Sequence, residues 1–129
     1  MDDPTVHYRL VVSQEALPNV EIIHENIYNP FILFMSGISV SKEHQKKMSE
    51  MSFFKLQESL WKLRLNLLSM GVEFNMDRPS GGPPIGYTVS LRLFIEEASF
   101  QNLLDYYTRV KNGALYVIWF IQSTLDTTG

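Results

Sequence analysis

The chain of 129 residues contains no cysteine. This absence excludes disulfide bonds, thiolate metal sites and cysteine nucleophiles, and it fits a reducing compartment. Long apolar runs are also missing: the longest, Ala114–Ile121, has eight residues, whereas a membrane-spanning helix needs about 20. The acidic start, Met1–Pro4, lacks the basic and apolar regions of a signal peptide. We therefore expect a soluble cytoplasmic protein that does not act in a membrane.

Charged side chains make up 19% of the sequence and hydrophobic ones 45%, which is typical of a folded globular protein. This length fits one domain spanning residues 1–129. Although the net charge is −3, residues 37–70 carry six bases and three acids. We interpret these bases as solvated positions of amphipathic helices, because an acidic protein without an arginine-rich stripe gains little from counterion release. We expect no nucleic-acid partner.

Motifs that carry catalysis or bind metal are scarce. The histidines lack the His-x-x-x-His spacing of a zinc site and stand far apart, at His7, His24 and His44. Glu96 and Glu97 are adjacent at a predicted strand end, so their carboxylates point to opposite faces. The loop at 78–84 lacks the Gly-Lys-Ser/Thr ending of a phosphate-binding loop. We predict no catalytic residue, no metal site and no cofactor.

Five segments alternate apolar and polar side chains, or are rich in strand-forming residues, and both patterns predict strands. The segments are Val6–Val12, Val20–Glu25, Phe31–Val40, Val72–Asp77 and Tyr87–Glu96. Short loops between the first three indicate an antiparallel meander. Gly37, inside the third strand, predicts a bulge or a close backbone approach.

Three serines are predicted helix N-caps: Ser41, Ser52 and Ser99. The helix after Ser41 runs to about Met51, and a second helix starts at Ser52 and ends before Gly71, which suits the left-handed position after a helix end. That second helix carries an apolar stripe of Leu56, Leu60, Leu63, Leu67 and Met70, which we expect Phe53, Trp61, Leu65 and Leu68 to widen. The order βββ-α-ββ-α predicts an α+β fold, a largely antiparallel five-stranded sheet with helices on one face.

The last predicted helix, Phe100–Leu125, changes character along its length. One face is apolar throughout, with Phe100, Leu103, Tyr107, Val110, Ala114, Val117 and Ile121 at steps of three and four. The opposite face begins polar and turns apolar at Leu115 and Trp119. A helix that is apolar all round must be covered on both sides. The sheet can cover one side, and the other needs a second helix or a second protein.

Four residues of this helix form the candidate protein interface: Leu115, Tyr116, Trp119 and Phe120. Packing in the core, or the lining of a ligand pocket, would also account for this aromatic group. The polar character of the earlier half of that face favours an interface, since tyrosine and tryptophan are enriched at interface centres.

Two stretches of the chain carry a family resemblance: residues 43–52 running on to Leu60–Arg64 and Leu67–Phe74, and Val110–Trp119. They resemble an uncharacterised, mainly archaeal domain-of-unknown-function family. The order of elements over residues 31–125 is similar to that of type III secretion chaperones, small α+β proteins that dimerise and bind partner polypeptides. The resemblance implies a secretion-chaperone-like fold and no active-site residues.

Two main functional hypotheses follow, and nucleic-acid binding through the basic middle helices, with an affinity that falls steeply with salt, is a third. The first is a non-catalytic, chaperone-like or adaptor-like interaction module that acts as a homodimer, with another protein as a further candidate partner. The second is a small-molecule-binding or enzymatic domain with a pocket between sheet and helices, which requires polar groups such as His24, Tyr107 and Arg92 to converge there.

Overall fold

Five strands pair into one antiparallel sheet in the computed structural model, which describes residues 8–13, 17–26, 28–79 and 82–125. The strands are β1 (Tyr8–Val12), β2 (Val20–His24), β3 (Phe31–Ser39), β4 (Glu73–Asp77) and β5 (Gly86–Phe94). Their order across the sheet is β1-β2-β3-β5-β4. The predicted meander is confirmed as β1-β2-β3, and β4 forms a hairpin with the longer β5. Val6 and His7 lie outside the described residues.

Three helices follow the predicted positions: α1 (Lys42–Glu50), α2 (Phe53–Ser69) and α3 (Phe100–Leu125). Each begins at its predicted serine cap. The Oγ atoms of Ser41, Ser52 and Ser99 accept hydrogen bonds from backbone N–H groups three residues later, at 3.1, 3.2 and 3.1 Å. The cap at Ser52 therefore separates α1 from α2. β5 ends earlier than predicted, because Ile95 opens a single 3-10 turn, Ile95–Glu97.

Two glycines test the sequence predictions about backbone shape. Gly71 has φ of +75°, which confirms the left-handed position after α2. The bulge predicted at Gly37 is wrong, because the ladder continues through it, with Gly37 paired to Thr88. A Cβ at this position would meet nothing within 4 Å. Gly37 therefore lies in regular strand, on the side of the sheet away from the helices.

The core lies between the helices and one face of the sheet, which confirms the predicted α+β fold. Alternate residues of β3 and β5 supply its floor, where Phe34, Val89 and Leu93 are fully buried. The buried stripe of α2 is confirmed at Leu56, Leu60, Leu63 and Leu67, and α3 adds Val110, Ala114, Val117 and Ile121. α3 approaches the sheet closely at Gly113, where a Cβ would stand 2.9 Å from Val89 Cγ1.

Candidate protein-interaction site

The four residues of the predicted interface differ in exposure. Trp119 is 59% exposed, whereas Leu115, Tyr116 and Phe120 are half-buried. The Tyr116 ring lies 5.7 Å from the Trp119 ring and 6.2 Å from the Phe120 ring. Tyr116 and Phe120 also pack against the core. Trp119 is therefore the member of this group that presents most of its surface to solvent.

A second exposed apolar group lies on α2. The sequence predicted that Phe53, Trp61, Leu65 and Leu68 widen the buried stripe, and this prediction is wrong, because all four are exposed. α2 rests on the core through its four buried leucines, and the opposite side of the helix faces outward. Phe54, Trp61, Leu65 and Leu68 lie there within about 60° of one another on the helix. We call these four residues the outer stripe.

The outer stripe is long and well exposed. Phe54, Trp61 and Leu68 are 83%, 60% and 61% exposed. From Phe54 to Leu68 the stripe extends about 21 Å along the helix, at 1.5 Å per residue. Its signal was present in the sequence, because spacings of seven, four and three residues keep side chains on one face. The sequence prediction placed Trp61, Leu65 and Leu68 in the core, because periodicity alone suggested a single apolar side for this helix.

Polar side chains flank the outer stripe on both sides. On the side of α3, Lys62 Nζ lies 3.7 Å from Glu58 Oε1. On the side of β4, Gln57 and Arg64 line a shallow depression shared with Met76 and Arg78. The stripe thus has the apolar centre and polar rim of a protein interface.

A separate apolar groove lies over β1 and β2, beside the first half of α3. Its volume is about 830 Å³, and we call it the β1 groove. It is lined by Tyr8, Leu10, Val12, Ile22, His24, Ile32, Ile95, Phe100, Leu103, Leu104 and Tyr107. Phe100, predicted on the buried face of α3, is 82% exposed and lines this open groove instead of the core.

The three polar groups proposed for a small-molecule site do not all meet. His24 and Tyr107 both line the β1 groove. Arg92 instead lines a depression with Ile23 and Leu33 on the other face of the sheet. His24 Nε2 lies 2.8 Å from the carbonyl oxygen of Asn29, so part of its hydrogen-bonding capacity is used within the chain. The structure therefore brings together two of the three.

Two of the six bases in residues 37–70 form ion pairs within their own helices. Lys47 lies 3.6 Å from Glu43, and Lys62 is paired with Glu58. Within residues 8–13, 17–26, 28–79 and 82–125, no three His, Cys, Asp or Glu side chains cluster in a way that would hold a metal ion. Among the helices of this same part of the chain, none combines the length and apolar character that crossing a bilayer requires.

Tyr87 is a buried titratable group of the core. Its ring stacks on Phe74 with centroids 5.6 Å apart. Burial disfavours the charged phenolate and raises the pKa of Tyr87 from 10.0 to about 12, although the nearby Arg78 guanidinium partly opposes this. Tyr87 therefore stays neutral at physiological pH and acts as a packing residue.

A solved structure has a fold similar to that of this chain. A crystal structure of an uncharacterised protein from Methanothermobacter thermautotrophicus is similar to this chain with a TM-score of 0.84 and 29% sequence identity. The alignment covers 97% of this chain and 86% of that one. No curated protein matches the sequence at a significant level. Residues 1–121 match the family described as "Uncharacterized conserved protein (DUF2299)", and the chain therefore belongs to that family of uncharacterised conserved proteins.

Proposed function

We propose that this protein is a non-catalytic, chaperone-like or adaptor-like interaction module that acts as a cytoplasmic homodimer. The observation that carries the proposal is the outer stripe of α2, with Trp119 on the neighbouring helix. Large apolar side chains that remain exposed together on one side of a helix are typical of protein interfaces. Trp61 and Trp119 supply the residue type that contributes most often to interface hot spots.

A second copy of the chain fits the outer stripe. When two α2 helices pack antiparallel around a two-fold axis at Trp61, positions equally distant on either side of Trp61 lie opposite one another. Phe54 and Leu68 are each seven residues from Trp61. The exposed phenylalanine of one copy therefore faces the exposed leucine of the other, and the two Trp61 rings meet at the centre.

Charge complementarity supports the same arrangement. The two-fold axis brings each flank of α2 against the same flank of the other copy. On the α3 side, Glu58 comes within about 3 Å along the helix axis of Lys62 of the second copy. On the β4 side, Gln57 comes beside Arg64 of the second copy. On neither flank does an acidic residue lie opposite another acidic residue. Trp119 lies next to the α3-side flank, where the two symmetric Glu58–Lys62 pairs form between the copies.

The test is the oligomeric state at low micromolar concentration, measured by sedimentation velocity. We expect a dimer for the natural chain and a folded monomer for Trp61→Asp, because a carboxylate at the centre of the interface is buried without a partner. Trp119→Asp should weaken the dimer less, since Trp119 lies at the border of the stripe. The control variant Gln101→Asp adds the same charge at an exposed position of α3, away from the outer stripe and from Trp119. It should remain a dimer. A monomeric natural chain, or a dimeric Trp61→Asp, would contradict the proposal.

A further inference from the structure

The edge of the sheet at β1 has features that natural edge strands usually avoid. β1 pairs with β2 on one side, and no strand of the described residues pairs with its other side. Its sequence, Tyr-Arg-Leu-Val-Val, has no proline, and its single charge, Arg9, lies 2.9 Å from Glu21 on β2. The opposite edge strand, β4, carries Glu73 and Asp77. Charges protect an edge against pairing with another chain, so β1 is the less protected of the two edges.

The β1 groove lies directly beneath this edge. Tyr8, Leu10 and Val12 alternate along β1 and all face the groove. The far wall is formed by the first turns of α3, where Phe100 and Leu104 are exposed. None of the eleven lining residues is Asp, Glu, Lys or Arg. The groove therefore favours uncharged, mainly apolar side chains.

We propose that the β1 edge and its groove bind an extended segment of another polypeptide, with apolar side chains at alternate positions. A strand added beside β1 makes backbone hydrogen bonds to the free edge. Every second side chain then points the same way as Tyr8, Leu10 and Val12, into the groove. The other side chains lie on the face that carries Arg9, whose side chain is 56% exposed. The guanidinium has five N–H donors, so an acidic residue there can share it with Glu21.

The shape of the site favours a strand over other occupants. A small ligand or a helix could contact the groove walls, but neither would satisfy the backbone groups along the β1 edge. The site is also separate from the outer stripe, because α2 packs against β4, which is at the opposite end of the sheet order from β1. The inference therefore does not depend on the proposed dimer, and a monomeric Trp61→Asp variant tests it equally well.

A synthetic peptide probes the site directly. The probe has blocked ends and alternates leucine with threonine, with one aspartate among the polar positions. The control peptide has the same composition with its leucines consecutive. We expect the alternating probe to give saturable shifts of the β1 amide resonances in NMR spectra, and to slow hydrogen exchange along β1. The control peptide should bind more weakly.

Backbone methylation distinguishes a strand from any other bound form. In an extended strand, alternate N–H groups point to opposite edges. N-methylation of the probe's N–H groups that point toward β1 should abolish binding. N-methylation of the other N–H groups, which point away from β1, should preserve it. Equal binding by both methylated probes would overturn the proposal, and would indicate a groove that takes apolar ligands without strand pairing. β1 amides that are already protected in the free protein would also overturn it, because the edge would then already be occupied.

Two neighbouring residues of β1 provide matched variants. Leu10 faces the groove and Val11 faces the other side of the sheet, with 42% and 45% of their surfaces exposed. Leu10→Thr should weaken binding of the probe about tenfold, because it removes apolar area from the groove and keeps a strand-forming side chain. Val11→Thr should leave binding unchanged. Leu104→Gln changes the wall of the groove that α3 forms. It tests the proposal even if substitutions in β1 prevent folding. Unaltered binding in both Leu10→Thr and Leu104→Gln, or no saturable shift in the natural chain, would overturn it.

Discussion

Asn66 on α2 donates a 2.5 Å hydrogen bond from Nδ2 to the hydroxyl oxygen of Tyr116 on α3. The bond joins two helices outside the core, and the Tyr116 ring in turn contacts Trp119. The bond and the ring contact together link Trp119 to α2, the helix that carries the outer stripe.

Tyr116→Phe should remove this bond and keep the ring contacts. We expect the free energy of unfolding to fall by about 0.5–1.5 kcal/mol, the usual net contribution of one hydrogen bond. Urea denaturation measures the change. Tyr28→Phe is the matched control, because Tyr28 is 88% exposed, and it should alter stability by less than about 0.5 kcal/mol. If the two variants unfold at the same urea concentration, the bond does not stabilise the protein.

Exchange of charges tests the proposed register of the dimer. Glu58→Lys and Lys62→Glu each place like charges opposite one another at two symmetric positions, so each variant should dimerise several-fold more weakly, by about 1 kcal/mol. A mixture of the two variants should form a heterodimer, because a lysine of one chain then faces a glutamate of the other at both positions. Sedimentation of the single variants and of the mixture measures this. A mixture no more dimeric than its components would contradict the register.

Gly113 should tolerate no side chain. A Cβ there would lie 2.9 Å from Val89 Cγ1 and 3.3 Å from Val72 Cγ2. Gly113→Ala should lower the free energy of unfolding by about 1–2 kcal/mol, because overpacking outweighs the helix propensity of alanine.

Gly37→Ala is the control, since its Cβ meets nothing within 4 Å, and it should be neutral or stabilise by up to about 1 kcal/mol. Thermal unfolding of both variants measures the difference. A Gly113→Ala protein as stable as Gly37→Ala would show that α3 can move away from the sheet at little cost.

Tyr87 makes stability depend on pH in the alkaline range. Its pKa is about 12 in the folded protein, above the ordinary 10.0, so the folded state keeps a proton that the unfolded chain releases. Its contribution is complete below pH 10 and is lost as the pH rises through 12. The loss amounts to roughly 2–3 kcal/mol. Urea denaturation of the natural chain and Tyr87→Phe between about pH 9 and 12 should show a steeper decline for the natural chain, and parallel curves would exclude this role for Tyr87.

The sequence predicts the fold well because local signals determine most of it. Ser41, Ser52 and Ser99 each offer a cap at the start of a helix, and the strand alternation identifies the buried faces of β3 and β5. The main wrong predictions concern which side of a helix contacts the core. Trp61 and Leu65 are apolar, and periodicity alone cannot show whether an apolar face contacts the core or a surface. The prediction at Gly37 failed for a similar reason. A glycine within a strand segment does not show from sequence whether the space next to its Cα is filled or empty.

The proposed dimer would double the number of proposed β1 binding sites. A dimer paired along α2 would carry two β1 edges, one on each copy, because that edge is at the other end of the sheet order. A partner with two suitable segments joined by a linker could then occupy both edges at once. After the first segment binds, the second is held at a high effective concentration, so the pair binds far more tightly than either segment alone. Selectivity for a client would in that case depend on the spacing between its segments as well as on their sequences.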